Sequence, residues 1–201
     1  MNRRNFIGKT AVLSASALMP LSSFSILGQP KYKMGYQLFS VRTDMAENPL
    51  ATIKALKEMG YEDFEFYGFD ADKGLIYGYT PSELKTILDD LQLSITSGHY
   101  SFSPYLEKSD EALKHYVDQC ILAAKAIDSK YITWPYIAPE QRTLDNFKLM
   151  SRKLNLIGEQ VNEAGLGFAY HNHGYEFEDY GGQSGFDIII NETDASLVKL
   201  Q

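Results

Sequence analysis

The stretch AYHNHGYEF, Ala169 to Phe177, sets His171, Asn172, His173 and Glu176 side by side and holds two of the four histidines in the chain. If the stretch runs on as a strand, alternate side chains share a face, so His171 and His173 point one way and Asn172 the other. Paired imidazoles suit a divalent metal once carboxylates complete the shell, and an imidazole can also move a proton near neutral pH. Either histidine has a plainer reading as a hydrogen-bonding group at a wet strand end. Two further residues weigh against that reading: Glu65 in FEFYG and His99 in SGHYS. A carboxylate between Phe64 and Phe66, inside a sheet covered on both faces, is costly unless it is paired or coordinated. A role in binding metal or substrate is therefore expected of Glu65. Trp134 in ITWPY and Tyr67 beside Glu65 are explained by packing in the first instance, although an aromatic face also offers a platform for the apolar side of a sugar.

These residues need strands to carry them. Short apolar, aromatic-rich segments (KMGYQLFSV, YEDFEFYG, LSITSGHYS, KYITWPYI, LGFAYHNHGYEF and LVKLQ) read as strands. They alternate with PLATIKALKEMG, PSELKTILDDL, SDEALKHYVDQCILAAKAI, TLDNFKLMSRKLNLIGEQVNEAG and FDIIINET, where apolar residues recur at helical spacing. Pro49 and Pro81 suit first helical turns, Thr80 and Ser109 suit N-caps, and Gly60 and Gly165 suit helix stops. Strand and helix in strict alternation predict parallel strands with right-handed crossovers, hence an α/β domain. A barrel is preferred to an open sheet. No glycine-rich phosphate loop follows the first strand, and polar residues recur at the C-terminal ends of several strands, where barrel enzymes keep their sites. The expected fold is a (β/α)8 TIM barrel. Residues 30–201 hold about its first five to six strand–helix units, whereas a closed barrel takes about 250 residues. The domain is expected to be incomplete and to expose two sheet edges.

Residues 1–29 are set apart from this pattern. A basic start, MNRRNFIGKT, precedes an uncharged apolar run, and Arg3-Arg4 followed by Asn5-Phe6-Ile7 is similar to a twin-arginine export signal. The expected location is periplasmic or exported, with a membrane contact only through this segment if it is retained. Without Arg3, Arg4 and Lys9 the rest carries 16 basic against 26 acidic residues, about −10, which argues against a nucleic-acid partner. The lone Cys120 lies on the apolar side of a helical segment, and a core thiol is expected.

Taken together, GYQLFSVRTDMAENPLATIKALKEMGYEDFEF, SGHY, YITWPYI and FAYHNHGYEF resemble the sugar phosphate isomerase/epimerase group, the xylose isomerase-like TIM barrels, over residues 33–201. That resemblance implies a divalent metal (Mn, Zn, Co or Mg) at the barrel mouth and a small carbohydrate substrate, with further ligands on later strands. Where relatives carry E-N-H on the fifth strand this chain has H-N-H, so His171 stands at a ligand position but cannot serve as a carboxylate base. The expected assignments are His171 to metal and Glu65, His99, His173 and Glu176 to catalysis. Gln37, Tyr67, Trp134 and Asn172 are expected to bind substrate. Metal-assisted proton transfer beside a sugar carbonyl would serve an isomerase or epimerase. A dehydratase or lyase acting on a keto-sugar or keto-inositol shares that first step. A non-catalytic sugar-binding barrel and a metal-dependent endonuclease are the readings from other classes, and the acidic charge and export signal oppose the latter.

Overall fold

The computed structural model describes residues 32–201, and the segment 1–29 expected to act as an export signal lies outside them. The chain divides after Lys33, and Met34–Gln201 makes up the folded unit that carries the sheet. Six parallel strands, β1 (Gly35–Gln37), β2 (Asp63–Tyr67), β5 (Ser94–His99), β6 (Tyr131–Trp134), β7 (Gly167–Tyr170) and β8 (Val198–Leu200), lie side by side in that order. Between them run α1 (Arg42–Glu47), α2 (Pro49–Glu58), α3 (Pro81–Asp90), α4 (Asp110–Ala126), α5 (Leu144–Glu163) and α6 (Gly185–Glu192). This is the alternation expected, with helix ends where the residues place them. Thr80 and Glu83 form a reciprocal capping box at the start of α3, Ser109 caps α4, and Gly60 and Gly165 take positive φ beyond the ends of α2 and α5.

The structure corrects the expected elements in three places. The first strand ends at Gln37, whose side chain accepts from the Phe39 amide and turns the chain into a 3-10 helix, Leu38–Val41, that leads into α1. A small antiparallel hairpin, β3 (Phe69–Asp70) with β4 (Leu75–Ile76), comes after β2, and Gly68, Gly74 and Gly78 supply its left-handed backbone. Strand β7 stops at Tyr170, so the histidines of the H-N-H stretch sit just past the strand rather than within it.

The sheet is strongly curled, and side-chain contacts prove it. A flat sheet would separate β2 from β8, four positions apart in the order, by about 19 Å at ~4.8 Å per strand. Yet the Gln201 amide, just past β8, donates to Glu65 on β2 at 2.7 Å. Phe64 and Phe66 point outward from β2 into the layer beneath the helices and are buried, while Glu65 between them turns to the other side, toward His99 and Gln201. The outward layer is tightly fitted. A Cβ on Gly98, paired with Phe66 across β2 and β5, would lie 2.0 Å from the Phe66 ring, so only glycine lets that ring cross. Cys120 is fully buried in α4, as expected of a core thiol, and burial raises its thiol pKa well above the usual value. Among the described residues no helix is long and apolar enough to cross a membrane.

Candidate functional site

The C-terminal ends of β1, β2, β5, β7 and β8 converge on one cluster. Glu65 sits at its centre. The carboxylate takes His99 Nε2 at 2.9 Å on Oε1 and the Gln201 amide at 2.7 Å on Oε2. Gln201 Oε1 in turn lies 3.1 Å from both His99 Nε2 and His171 Nδ1. Gln37, opposite Glu65 in the sheet register, brings its Nε2 to 3.1 Å from His99 Nδ1. The imidazoles of His99 and His171 are 4.9 Å apart centroid to centroid, as are those of His171 and His173. Three histidines, a carboxylate and two amides from five strand ends thus share one space.

Burial alone would push the Glu65 carboxyl up. Hydrogen bonds from His99, Ser97 and Gln201, with the charge attraction of His99, overcome it and hold the group at about 2, below its ordinary 4.5. The carboxylate is therefore ionised across the physiological range and is a weak base. Burial lowers the pKa of His171, the neighbouring His99 and His173 lower it further, and Glu65 and the Gln201 hydrogen bond oppose them. The net shift favours the neutral imidazole, the form that a metal or a proton requires of a ligand or base.

The cluster floors a cleft of about 550 Å³. Its walls include Phe39, Tyr67 and Tyr136, of which Phe39 and Tyr136 are large apolar groups left in solvent contact. Phe39 meets Tyr67 edge to face at 5.3 Å, and His173 stacks on Tyr175. Arg142 lies over the Tyr175 ring at 3.7 Å and so fixes the aromatic beneath His173.

Of the residues expected to act here, Gln37, Tyr67, His99, His171 and His173 line the cleft, and Glu65 pairs with His99 beneath it. Three others stand elsewhere. Glu176 is completely buried and accepts from the Tyr170 hydroxyl at 2.6 Å and the His173 backbone amide at 2.8 Å. Both donors are internal, so the carboxylate braces the turn that carries His171 and His173 and does not meet a substrate. Trp134 is also fully buried, stacked on Phe102 with its indole N–H donated to the Tyr136 carbonyl at 2.8 Å; it is core, not platform. Asn172 lies outside the cleft lining and donates weakly to the His173 carbonyl at 3.4 Å. Sequence reasoning missed Gln201, Phe39 and Tyr136. Gln201 carries the same signal as His99, a polar residue at the end of an apolar strand. Phe39 and Tyr136 look like core residues until the chain turns them outward.

The donor chemistry fits a divalent metal at one position, His171. Among the described residues no group of three or more histidine, cysteine, aspartate or glutamate side chains is arranged to hold a metal ion. His99 and Glu65 are already committed to one another.

Residues 53–201 match the family of xylose isomerase-like TIM barrels, which is more than half of the chain. The chain belongs to this family. Among solved structures it is similar to a sugar phosphate isomerase/epimerase from Parabacteroides distasonis at 23% identity and TM-score 0.72, over 91% of this chain and 69% of that one. It is also similar to the IOLI protein with a zinc atom, at 15% identity and TM-score 0.61, over 84% of this chain and 62% of that one. The 3-keto-D-glucoside 4-epimerase from E. coli aligns at 17% identity and TM-score 0.55, over 86% of this chain and 67% of that one. At such identities the likeness establishes the fold, a TIM barrel of which these strands form part. Among curated proteins none matches the chain.

Proposed function

We propose that the protein is a sugar isomerase or epimerase that moves a proton at a carbon beside a carbonyl of a sugar or sugar derivative. The observation that carries this reading is the hydrogen-bonded Glu65–His99–Gln201–His171 cluster, with His173 beside it, at the floor of an aromatic-walled cleft. Its place at strand C-termini is where barrel enzymes carry out chemistry. The sugar isomerase and epimerase names of structural neighbours support it further.

The roles follow from the contacts. Glu65, with its pKa near 2, does not abstract a proton; it orients His99 and Gln201. His173 lines the open cleft, supported by Tyr175 below and braced through its backbone by Glu176, and it is the group assigned to proton transfer. His171 would contribute one ligand, Nε2, to a divalent metal, its Nδ1 being taken by Gln201. When bound, such an ion would polarise the substrate oxygen and ease charge build-up beside it. Phe39 and Tyr136 present flat apolar faces of the kind that accept the C–H side of a sugar ring.

The test is solvent deuterium exchange. A panel of ketoses, aldoses and keto-sugars incubated with the full chain in D2O is expected to show deuterium at one carbon next to a carbonyl, and His173→Gln is expected to slow it about 100-fold. If the protein binds a sugar of the panel without any exchange, the reading falls and a sugar-binding barrel replaces it. Elemental mass spectrometry addresses the metal. A near-stoichiometric divalent ion lost in His171→Ala supports the ligand assignment, and a metal content unchanged by that substitution removes it. We also infer export by way of the Arg3-Arg4 leader, to be tested by cell fractionation of the wild type against a double lysine variant.

A further inference from the structure

The hydrogen bonds around Glu65 have a direction that can be followed atom by atom. A backbone N–H can only donate, and the Phe39 amide points at the Gln37 side chain. The atom that receives it is therefore Oε1, which leaves the Gln37 NH2 facing His99 Nδ1 at 3.1 Å. His99 Nδ1 must accept, so its ring proton is on Nε2, directed at Glu65 Oε1 2.9 Å away. The second fixed end is the Glu65 carboxylate, which can only accept. The Gln201 atom 2.7 Å from its Oε2 is accordingly the NH2, and Gln201 Oε1 is turned toward the histidines. An acceptor 3.1 Å from His171 Nδ1 demands a proton on that nitrogen. The lone pair of His171 is then on Nε2.

We propose that Gln37 and Gln201 are positioning residues that hold His99 as its Nε2–H tautomer and His171 as its Nδ1–H tautomer, so that His171 offers the lone pair of Nε2 to whatever the cleft binds. No residue on β7 itself does this. Two fixed ends set the direction: the Phe39 amide just past β1 orients Gln37 and with it His99 on β5, and the Glu65 carboxylate on β2 orients Gln201 and with it His171. Each amide is used at both ends, so neither glutamine can turn over without setting donor against donor at one end and acceptor against acceptor at the other. For Gln37 this adds a positioning role to the expected one in binding substrate, since each of its polar atoms already holds one partner. The purpose of the arrangement rests on the proposed reading of the cleft, since a nitrogen lone pair is what a metal or a transferable proton needs. The tautomers themselves do not depend on that reading.

The experiment is nitrogen NMR of the full chain labelled with 15N-histidine, which separates protonated from unprotonated ring nitrogens and depends on no turnover. The four histidines are assigned by single substitution. The expected result is a protonated Nε2 with a bare Nδ1 in His99, and the reverse in His171. Gln37→Glu, which exchanges the donor for an acceptor at unchanged size, is expected to place a proton on His99 Nδ1. Gln201→Met is expected to abolish the single tautomer of His171 and give a mixture. A wild-type His171 with its proton on Nε2 overturns the proposal with no variant needed. So does a His99 spectrum unmoved in a Gln37→Glu protein whose amide spectrum shows it folded. Sugar exchange in D2O is read separately, and its failure would count against the proposed function and not against these tautomers.

Discussion

Glu65 and Glu176 look alike in the chain: each is a carboxylate flanked by aromatic residues, and each belongs to a motif with polar neighbours near a strand end. Their surroundings separate them completely. Glu65 accepts from His99 and Gln201, side chains from other strand ends whose second polar atoms are tied in turn to Gln37 and His171. Glu176 accepts from Tyr170 at the end of β7 and from the His173 amide in the turn that follows, and is sealed from solvent. One carboxylate organises the side chains of the cleft cluster. The other holds the turn that presents them. What a buried carboxylate does is decided by which donors it satisfies, because those donors are the groups left stranded when it is removed.

Replacing each carboxylate should therefore break different things. The largest effect is expected for Glu176→Leu, which strands the buried Tyr170 hydroxyl and leaves the part-buried His173 N–H without its acceptor. Urea unfolding should show a loss of about 4 kcal/mol, and a loss below about 1 kcal/mol would show that the turn is not braced there. Glu65→Gln is expected to reduce solvent exchange on substrate about 100-fold, equivalent to about 2.7 kcal/mol in the barrier, with the urea midpoint at pH 7 shifted far less than by Glu176→Leu. The reverse ranking of the two midpoints would undo the distinction. Acid sharpens it further. The Glu65 pKa is depressed from 4.5 to about 2 in the folded protein, so its contribution is complete above pH 4.5 and fades as the pH falls toward 2. On the order of 2 kcal/mol should go in that window after allowance for solvent screening, and Glu65→Gln should flatten that part of the stability profile. The smallest effect is expected for Tyr170→Phe, which removes one of the two donors to Glu176 and should cost about 1.5 kcal/mol in urea with sugar binding intact.

Much of the architecture is legible in the residue pattern alone. Strands and helices alternate as their side-chain periods dictate, and Thr80 and Ser109 cap the helices that begin just after them. The hairpin of β3 and β4 escapes such a reading because two-residue strands have no period to detect, and only the glycines at 68, 74 and 78 mark the place. The H-N-H stretch shows how a correct grouping can arise from a wrong element. His171 and His173 do share the cleft, but beyond the end of β7, where a turn anchored by Glu176 and not strand alternation places them.

The chain's local chemistry was sufficient to select Glu65, His99, His171 and His173 as neighbours in space, because each is polar at the end of an apolar run, and such ends gather at one mouth in a parallel barrel. Local chemistry also determined the capped helices and the buried Cys120. The division of labour between Glu65 and Glu176, the removal of Trp134 to the core and the entry of Gln201 were decided by tertiary structure alone. The physical reason is the curl of the sheet: it brings Glu65 within 2.7 Å of Gln201, a residue 136 positions further along the chain. No periodicity within either strand contains that distance.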